Sequence, residues 1–339
     1  MNPNTVTTPD NPIPDTRVEP GTAGRGAAIA YWWDRVGIFA VLLILIALMA
    51  VLAPNFLSVD NAINVARSVS INAILAAGLT VVILTAGIDL SVGSILAVAG
   101  VGSVLLAVDG VPTPLALLGG ILIGALCGAL NGVFVAWLAL PAFIVTLGSM
   151  TYLRGLAYSL LDGQPLVASD LGFRGIGNGS MAGIPQPVVV MIVVYAIFWF
   201  LLERTRFGRH VYAVGGNMEA ARLAGINVKR VLLYTYMLAG AAAGVAGLIF
   251  SARVLSAQPT AGEGYELDAI AAVVLGGTSL AGGRGRIFGT LVGAVIIGVL
   301  SNGLILLDVP FFYQLVIKGV VIIIAIALDS LKRFSRAGT

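Results

Sequence analysis

Residues 71–94 read INAILAAGLTVVILTAGIDLSVGS and combine a long apolar run with an abrupt interruption. The apolar run alone approaches the roughly 20 residues that a helix needs to cross a bilayer. It then meets Gly87, Asp89 and Gly93, which favour the end or break of a helix at depth, where only protein or a cavity can satisfy the backbone. The stretch predicts a broken or re-entrant helical element. A tight cytoplasmic turn in which Asp89 caps the next helix is the alternative.

The composition of the whole chain extends this interpretation. Hydrophobic residues make up 58% and charged residues 10%, whereas soluble domains average roughly 25% charged residues. No polar block is long enough to form a soluble domain, so we predict one integral membrane domain over residues 36–330. Residues 1–35, rich in proline, are predicted to be a disordered cytoplasmic tail. Residues 331–339 are predicted to be a short cytoplasmic C-terminal tail.

Apolar runs of membrane-spanning length recur along the chain, and they predict an all-α polytopic protein with about ten transmembrane helices. The predicted spans are 36–53, 68–87, 91–108, 114–138, 141–161, 187–202, 232–250, 267–281, 287–307 and 311–328.

The Lys and Arg residues predict the orientation of these spans, because cytoplasmic loops retain basic residues. With the N-terminus inside, most of the nineteen Lys and Arg residues fall on the cytoplasmic side, and Asp and Glu residues collect on the opposite side. Both termini are therefore predicted to be cytoplasmic. The basic residues are scattered over short loops without a contiguous patch, which argues against nucleic-acid binding.

A row of glycines marks one predicted helix. Gly120, Gly124, Gly128 and Gly132 recur every four residues and share one helix face. In lipid, small residues allow helix backbones to approach closely, so we predict that this face packs against another helix. We assign these glycines no role in substrate binding.

Four charged residues fall inside predicted spans or in the break between two of them, namely Asp89, Arg154, Asp268 and Lys318. An exposed charge at the bilayer centre costs roughly 2.5–3.5 kcal/mol. We therefore expect Arg154 and Lys318 to find carboxylate or carbonyl partners, with Asp268 as one candidate. A structural ion pair and a role in a polar permeation path both remain open.

A second glycine-rich interruption covers Leu275–Arg286. It is not a nucleotide-binding loop, because Lys229, Lys318 and Lys332 follow Val, Ile and Leu rather than Gly. The single histidine, His210, and single cysteine, Cys127, give no zinc ligand set and no pair of nucleophile and base. We predict that the chain is not an enzyme and holds no metal or cofactor.

The basic loop 203–231 is predicted to carry a short helix of about two turns. Asn217 is a good N-cap, Glu219 suits the positive helix end, and Gly225 is a natural stop. Ala220, Leu223 and Ala224 share one face, giving an apolar ridge on a helix too short to persist alone. The residues assigned to partner coupling are Gly215, Gly216, Asn217, Glu219, Ala220, Ala221, Leu223, Ala224 and Gly225.

This loop resembles a known motif, because Glu219-Ala-Ala followed by Gly225 is similar to the EAA-type loop of ATP-binding-cassette importer permeases. Further motifs resemble the monosaccharide-importer permeases, over about residues 53–328. These motifs are Ala86–Ser94, Thr205–Arg209, Ala257–Asp268 and Ala271–Arg286.

The resemblance implies a homodimeric pore in the bacterial inner membrane. A periplasmic sugar-binding protein would deliver the sugar, with ribose as the expected substrate. A cytoplasmic ATPase with two fused nucleotide-binding domains would hold ATP and Mg and drive transport, and membrane lipid would surround the chain.

A sugar path should be polar but weakly binding. The candidate path residues are Asn72, Thr80, Thr85, Asp89, Asn302 and Gln314, each of which could equally make helix–helix hydrogen bonds. Arg174 and Arg253 stand out on the acidic external side and are candidates for docking the binding protein. The alternative function is an ion-coupled secondary transporter of a small polar solute, which would not need an ATPase-docking helix.

Overall fold

The computed structural model describes the backbone of residues 25–337 and the side-chain environment of residues 37–327 except 322, 325 and 326. Most of the predicted N-terminal tail and the last two residues lie outside the described backbone. The described residues fall into two units: those up to Gly37, which belong to the first helix, and those from Ile38 onward.

The described residues are mostly helical, as the apolar runs predict. The helices are α1 (Arg25–Leu52), α2 (Val59–Leu84), α3 (Val92–Val108), α4 (Thr113–Ala136), α5 (Ala142–Ser159), α6 (Arg174–Asn178), α7 (Gln186–Arg204), α8 (Arg206–Gly216), α9 (Met218–Leu223), α10 (Val228–Val254), α11 (Tyr265–Leu275), α12 (Ile287–Leu306) and α13 (Phe311–Ala337). Four two-residue strands, β1 (Leu166–Val167), β2 (Ser180–Met181), β3 (Ile184–Pro185) and β4 (Ser256–Ala257), form antiparallel pairs β1–β4 and β2–β3.

Every predicted span overlaps a helix, but the predicted span 267–281 extends six residues beyond α11, which ends at Leu275. Helices α2, α4, α7, α10 and α12 are long and apolar enough to cross a membrane, and shorter apolar segments occur in α1, α3 and α13. These helices indicate a multi-pass membrane protein. Helix α11 has 11 residues, which correspond to about 16 Å and fall short of a roughly 30 Å hydrocarbon core.

Helix α2 occupies the centre of the second unit. Its residues 69–84 are buried almost without exception, and it packs against α7, α10, α11 and α12. Large apolar side chains on α1, α4, α5 and α13 are instead exposed. A helix buried on all faces inside a ring of apolar exposed surfaces is the arrangement expected of a protein in lipid.

The glycine row on α4 packs against α10, which confirms the predicted packing role. A Cβ at Gly124 would lie 2.9 Å from the Cα of Gly244, and one at Gly128 would lie 3.0 Å from the Cα of Gly240. The two backbones are therefore in direct contact, closer than any side chain would allow.

The interruption predicted around Gly87 is present between α2 and α3. Helix α2 ends at Leu84, residues 85–91 are not helical, and Ala86 has a left-handed φ of 61°. The start of α3 then packs on the start of α11, where a Cβ at Gly262 would lie 2.7 Å from the carbonyl oxygen of Gly93. Asp89 is fully buried, so the break lies inside the protein rather than in an exposed turn.

Candidate functional site

The predicted coupling helix is present as α9, six residues long. The Oδ1 atom of Asn217 accepts a 2.9 Å hydrogen bond from the backbone of Ala220, and Gly225 has a φ of 83° that ends the helix turn. These two observations confirm the predicted cap and stop. An ion pair of 2.7 Å joins Arg222 to Glu219 on the exposed side of the helix.

One face of α9 lacks partners within the described chain. Ala221 is buried and anchors the helix, whereas Ala220 and Ala224 are exposed and Leu223 is 84% exposed. The predicted apolar ridge therefore points away from the protein. The ridge leaves a small exposed apolar surface on α9 that is available to another protein.

The preceding helix, α8, is joined to the end of α2 and to the second glycine-rich interruption through a close backbone contact. A Cβ at Gly215 would overlap the carbonyl oxygen of Leu84 and lie 2.6 Å from the backbone nitrogen of Gly283. Gly283 itself donates a 2.9 Å hydrogen bond to Leu84. The two glycine-rich interruptions of the sequence thus meet at the end of α8, directly before α9.

A tyrosine side chain adds a second link at this junction. The Tyr212 hydroxyl donates a 3.0 Å hydrogen bond to the carbonyl oxygen of Gly285. Burial, with a smaller contribution from Glu203, raises the pKa of Tyr212. The hydroxyl therefore stays protonated and remains a donor at neutral pH.

The break at Asp89 is held by a chain of buried polar side chains. Asp89 Oδ1 accepts hydrogen bonds from the backbone and the hydroxyl of Ser91, at 2.8 and 2.6 Å. Asn131 on α4 donates to the Ser91 hydroxyl at 2.8 Å, and Ser149 on α5 donates to Asn131. The break is thereby tied to two further helices, whereas the Oδ2 atom of Asp89 has no hydrogen-bond partner among the described residues.

The remaining candidate path residues mostly make hydrogen bonds within the chain. Thr80 bonds the hydroxyl of Thr290 at 2.8 Å, and Asn302 exchanges two hydrogen bonds with Asn61. Thr85 donates to the carbonyl oxygen of Val82, and Gln314 donates to that of Val309. Asn72 Oδ1 is buried and has no partner in the part of the chain that the structure describes. The contacts of Thr80 and Asn302 join α2 to α12 and fit the helix–helix alternative, whereas those of Thr85 and Gln314 are local. A place in the sugar path stays a prediction.

The charged residues within the spans have the kinds of partner that the sequence predicts. Lys318 forms a 2.8 Å ion pair with Asp268. Arg154 donates to the carbonyl oxygens of Pro259 and Ala261, at 2.6 and 2.7 Å. These contacts hold α13 against α11, and α5 against the loop that precedes α11.

Arg253, one of the two proposed docking residues, lies near a further arginine, Arg67, that sequence reasoning missed. Arg253 donates to Ser68 at 3.0 Å, and Arg67 donates to the carbonyl oxygen of Asn178 at 3.3 Å. Asn178 in turn donates to the carbonyl oxygens of Ala252 and Arg253. Arg174, at the start of α6, is exposed.

In the part of the chain that the structure describes, no three His, Cys, Asp or Glu side chains come together in a way that could hold a metal ion.

The sequence of the chain is similar to those of known transport proteins. The family model for the branched-chain amino acid transport system permease component matches residues 61–326. The ribose import permease protein of Bacillus subtilis (strain 168) is 50% identical over 301 residues, 88% of this chain and 94% of the relative. No solved structure matches the chain.

Two further relatives have comparable coverage. The ribose import permease protein of Haemophilus influenzae is 48% identical over 297 residues, 86% of this chain and 92% of its own length. The D-allose transport system permease protein of Escherichia coli K12 is 42% identical over 304 residues, 89% of this chain and 93% of its own length.

Proposed function

Since the chain belongs to the family of branched-chain amino acid transport system permease components, we propose that it is the membrane subunit of an ATP-driven monosaccharide importer. Its relatives include ribose and D-allose permeases, so ribose or a similar sugar is the proposed substrate. ATP and Mg are bound by a partner ATPase with two fused nucleotide-binding domains. This chain binds no cofactor and performs no catalysis.

The exposed ridge of α9 is the observation that carries this proposal. A short helix with Leu223 84% exposed is suited to insertion into a cleft on the ATPase. Closure of the nucleotide-bound ATPase then moves α9 and, through Gly215, displaces Leu84 and Gly283 at the two interruptions. The helix acts as a lever, because a partner can drive a conformational equilibrium only by contacting the two states differently.

The membrane arrangement in this proposal has ten transmembrane helices with both termini in the cytoplasm of a bacterial cell. The charge asymmetry of the loops supports it. The exposed apolar faces of α4, α5 and α13 are available to inner-membrane lipid and to a second copy of the chain. The sugar path would run past some of the candidate polar residues, with Asp89 at the break.

On the external side, a periplasmic sugar-binding protein would dock near Arg174 and Arg253. Arg67 lies in the same hydrogen-bonded cluster, and in the described residues neither Arg67 nor Arg253 forms an ion pair. These arginines support a contact with acidic residues of the binding protein, since complementary charges steer and orient association.

An ion-coupled secondary transporter is the second candidate. The buried Asp89 with one unpartnered carboxylate oxygen favours it, because such transporters place carboxylates at broken helices. It provides no reason for the exposed α9 ridge.

Purification from native membranes in mild detergent tests the proposal. We expect a nucleotide-binding subunit to copurify, with ATPase activity that responds to sugar-loaded periplasmic extract. Glu219→Lys and Gly225→Asp should weaken both ATPase association and uptake, whereas the charge-matched Glu203→Lys, on an exposed residue outside α9, should not. Intact association and uptake in both α9 variants would refute the lever role, and a chain without an ATPase in several detergents would favour ion coupling.

A further inference from the structure

Helix α7 carries an exposed apolar stripe. The stripe consists of Val193, Ile197 and Phe200, which are 51–55% exposed. Residues spaced i, i+4 and i+7 share one face of a helix, and Arg204, at i+11, continues that face. The stripe therefore runs along α7 and ends in a positive charge at the last residue of the helix.

The length of α7 places Arg204 at the edge of a bilayer. The helix has 19 residues, which correspond to about 28 Å and nearly match a roughly 30 Å hydrocarbon core. Its C-terminal end adjoins the basic loop 203–231, on the side that the charge pattern predicts to be cytoplasmic. The apolar stripe thus lies at the depth of acyl chains, and Arg204 lies at the depth of phospholipid phosphates.

The side chain of Arg204 is oriented by an aromatic ring rather than by an ion pair. Its guanidinium carbon lies 5.4 Å from the centroid of the Trp199 ring, and tryptophan is enriched at membrane interfaces. A cation–π contact leaves guanidinium N–H groups available for hydrogen bonds. Among the residues that the structure describes, no carboxylate forms an ion pair with Arg204. Its donors are therefore available to a ligand.

Two more arginines lie beside the end of the stripe, because α8 folds back onto α7. A Cβ at Gly208 would overlap the carbonyl oxygen of Leu202, so the first turn of α8 touches the last turn of α7. Arg206 and Arg209 belong to this first turn and are exposed. Neither has a carboxylate within ion-pair distance in the described part of the chain. Together with Arg204 they form the arginine cluster.

Charge distinguishes the occupants that could cover this surface. Residues 203–209 contain three arginines and one glutamate, a net charge of +2. A second copy packed on the stripe about a twofold axis would bring two such clusters to the same depth, where they would repel each other. A zwitterionic lipid would cover the stripe but bring no net negative charge. An anionic phospholipid matches both parts, because its acyl chains are apolar and arginine binds phosphate strongly.

We propose that the apolar stripe and the arginine cluster together bind one anionic phospholipid of the cytoplasmic leaflet. An acyl chain lies along the stripe, and the phosphate accepts hydrogen bonds from the cluster. Because α8 carries two of the arginines and ends at Gly215 and Gly216, the lipid holds the base of the segment that leads to α9. Lipid binding does not depend on the proposed importer function, so its test needs no ATPase.

Quenching of Trp199 fluorescence by brominated lipid tests this site on the full chain. The other tryptophans, Trp32, Trp33 and Trp137, are replaced by phenylalanine, and the protein is reconstituted into phosphatidylcholine vesicles with a rising fraction of brominated phosphatidylglycerol. A parallel series with brominated phosphatidylcholine gives the affinity of a zwitterionic lipid for the same position. We expect phosphatidylglycerol to bind at least about fivefold more tightly, the effect of one basic residue near an anionic lipid.

Substitutions in the arginine cluster should reduce this preference. Arg204→Gln and Arg209→Gln should each lower the relative affinity for phosphatidylglycerol about fivefold, with quenching normalised to each variant in unbrominated vesicles. Quenching by brominated phosphatidylcholine should not change. Arg230→Gln is the matched control, because it removes the same charge from an exposed residue in the first turn of α10. It should leave the preference intact.

Three results would overturn the inference. Equal binding of the two lipids, or an equal loss in Arg230→Gln and the cluster variants, would show a diffuse surface charge without a site. An absence of quenching by both lipids would show that protein, such as a second copy, covers the stripe. Displacement of the lipid by excess inorganic phosphate would show that the cluster binds a free anion. None of these results bears on the importer function, which copurification of an ATPase tests separately.

Discussion

The backbone N–H of Gly283 donates a 2.9 Å hydrogen bond to the carbonyl oxygen of Leu84, the last residue of α2. Gly215, at the end of α8, packs against the same carbonyl group. The peptide group of Leu84 therefore joins the end of α8, directly before α9, to both interruptions of the membrane helices. Displacement of α9 can thus reach both interruptions through this junction, in addition to its direct contacts with α10.

We predict that Gly215→Ala impairs uptake far more than Gly216→Ala. The added methyl at 215 would overlap Leu84, whereas a Cβ at Gly216 meets nothing within 4 Å. Overpacking of this kind lowers the free energy of unfolding by about 1–3 kcal/mol. Sugar uptake and the melting temperature of purified protein measure the effect, and equal behaviour of the two variants would show that the junction tolerates movement.

We predict that Gly124→Ala destabilises the α4–α10 contact. A Cβ at Gly124 would lie 2.9 Å from the Cα of Gly244, and the two backbones must separate to accommodate it. The free energy of unfolding should decrease by about 1–3 kcal/mol. The melting temperature should therefore fall. Gly155→Ala on α5 is the control, since nothing lies within 4 Å of its Cβ position. A stable Gly124→Ala would mean that α4 can move away from α10 at little cost.

The ion pair between Lys318 and Asp268 predicts a non-additive pair of substitutions. Asp268→Asn leaves the Lys318 ammonium without its 2.8 Å partner, and breaking a buried pair costs on the order of 3 kcal/mol. Because the Lys318 side chain is 20% exposed, the loss should fall below this value. The double variant Asp268→Asn/Lys318→Gln should recover part of it in a thermal-stability cycle, whereas additive losses would argue against direct coupling.

The polar chain at the break predicts a difference between two buried serines. Ser149 donates to Asn131 across two helices, whereas Ser103 donates to the carbonyl oxygen of Gly100 in its own helix. Ser149→Ala removes the hydroxyl that donates to the Asn131 amide oxygen. The free energy of unfolding should decrease by about 1–3 kcal/mol. Ser103→Ala should cost less, because its helix retains the backbone hydrogen bonds. Unfolding followed by tryptophan fluorescence compares them, and equal losses would contradict a cross-helix role.

Several site features had no reliable signal in the sequence. Asn131 and Ser149 are isolated polar residues in apolar helices, a pattern shared with residues that bond only within their own helix. Arg67 is likewise a single residue whose importance depends on what lies opposite it. A polar residue in a predicted span therefore indicates a buried hydrogen bond but does not identify its partner.

The sequence alone determined the features that depend on neighbouring residues. Apolar run length predicted the helices, Gly87 and Asp89 predicted the break, and the Asn217 cap with the Gly225 stop predicted α9, because capping and helix breaking act within a few residues. Only the tertiary structure decided that Gly215, Leu84 and Gly283 meet at one peptide group. Such contacts between distant segments arise from the packing of whole helices, and their register cannot be read from local sequence patterns.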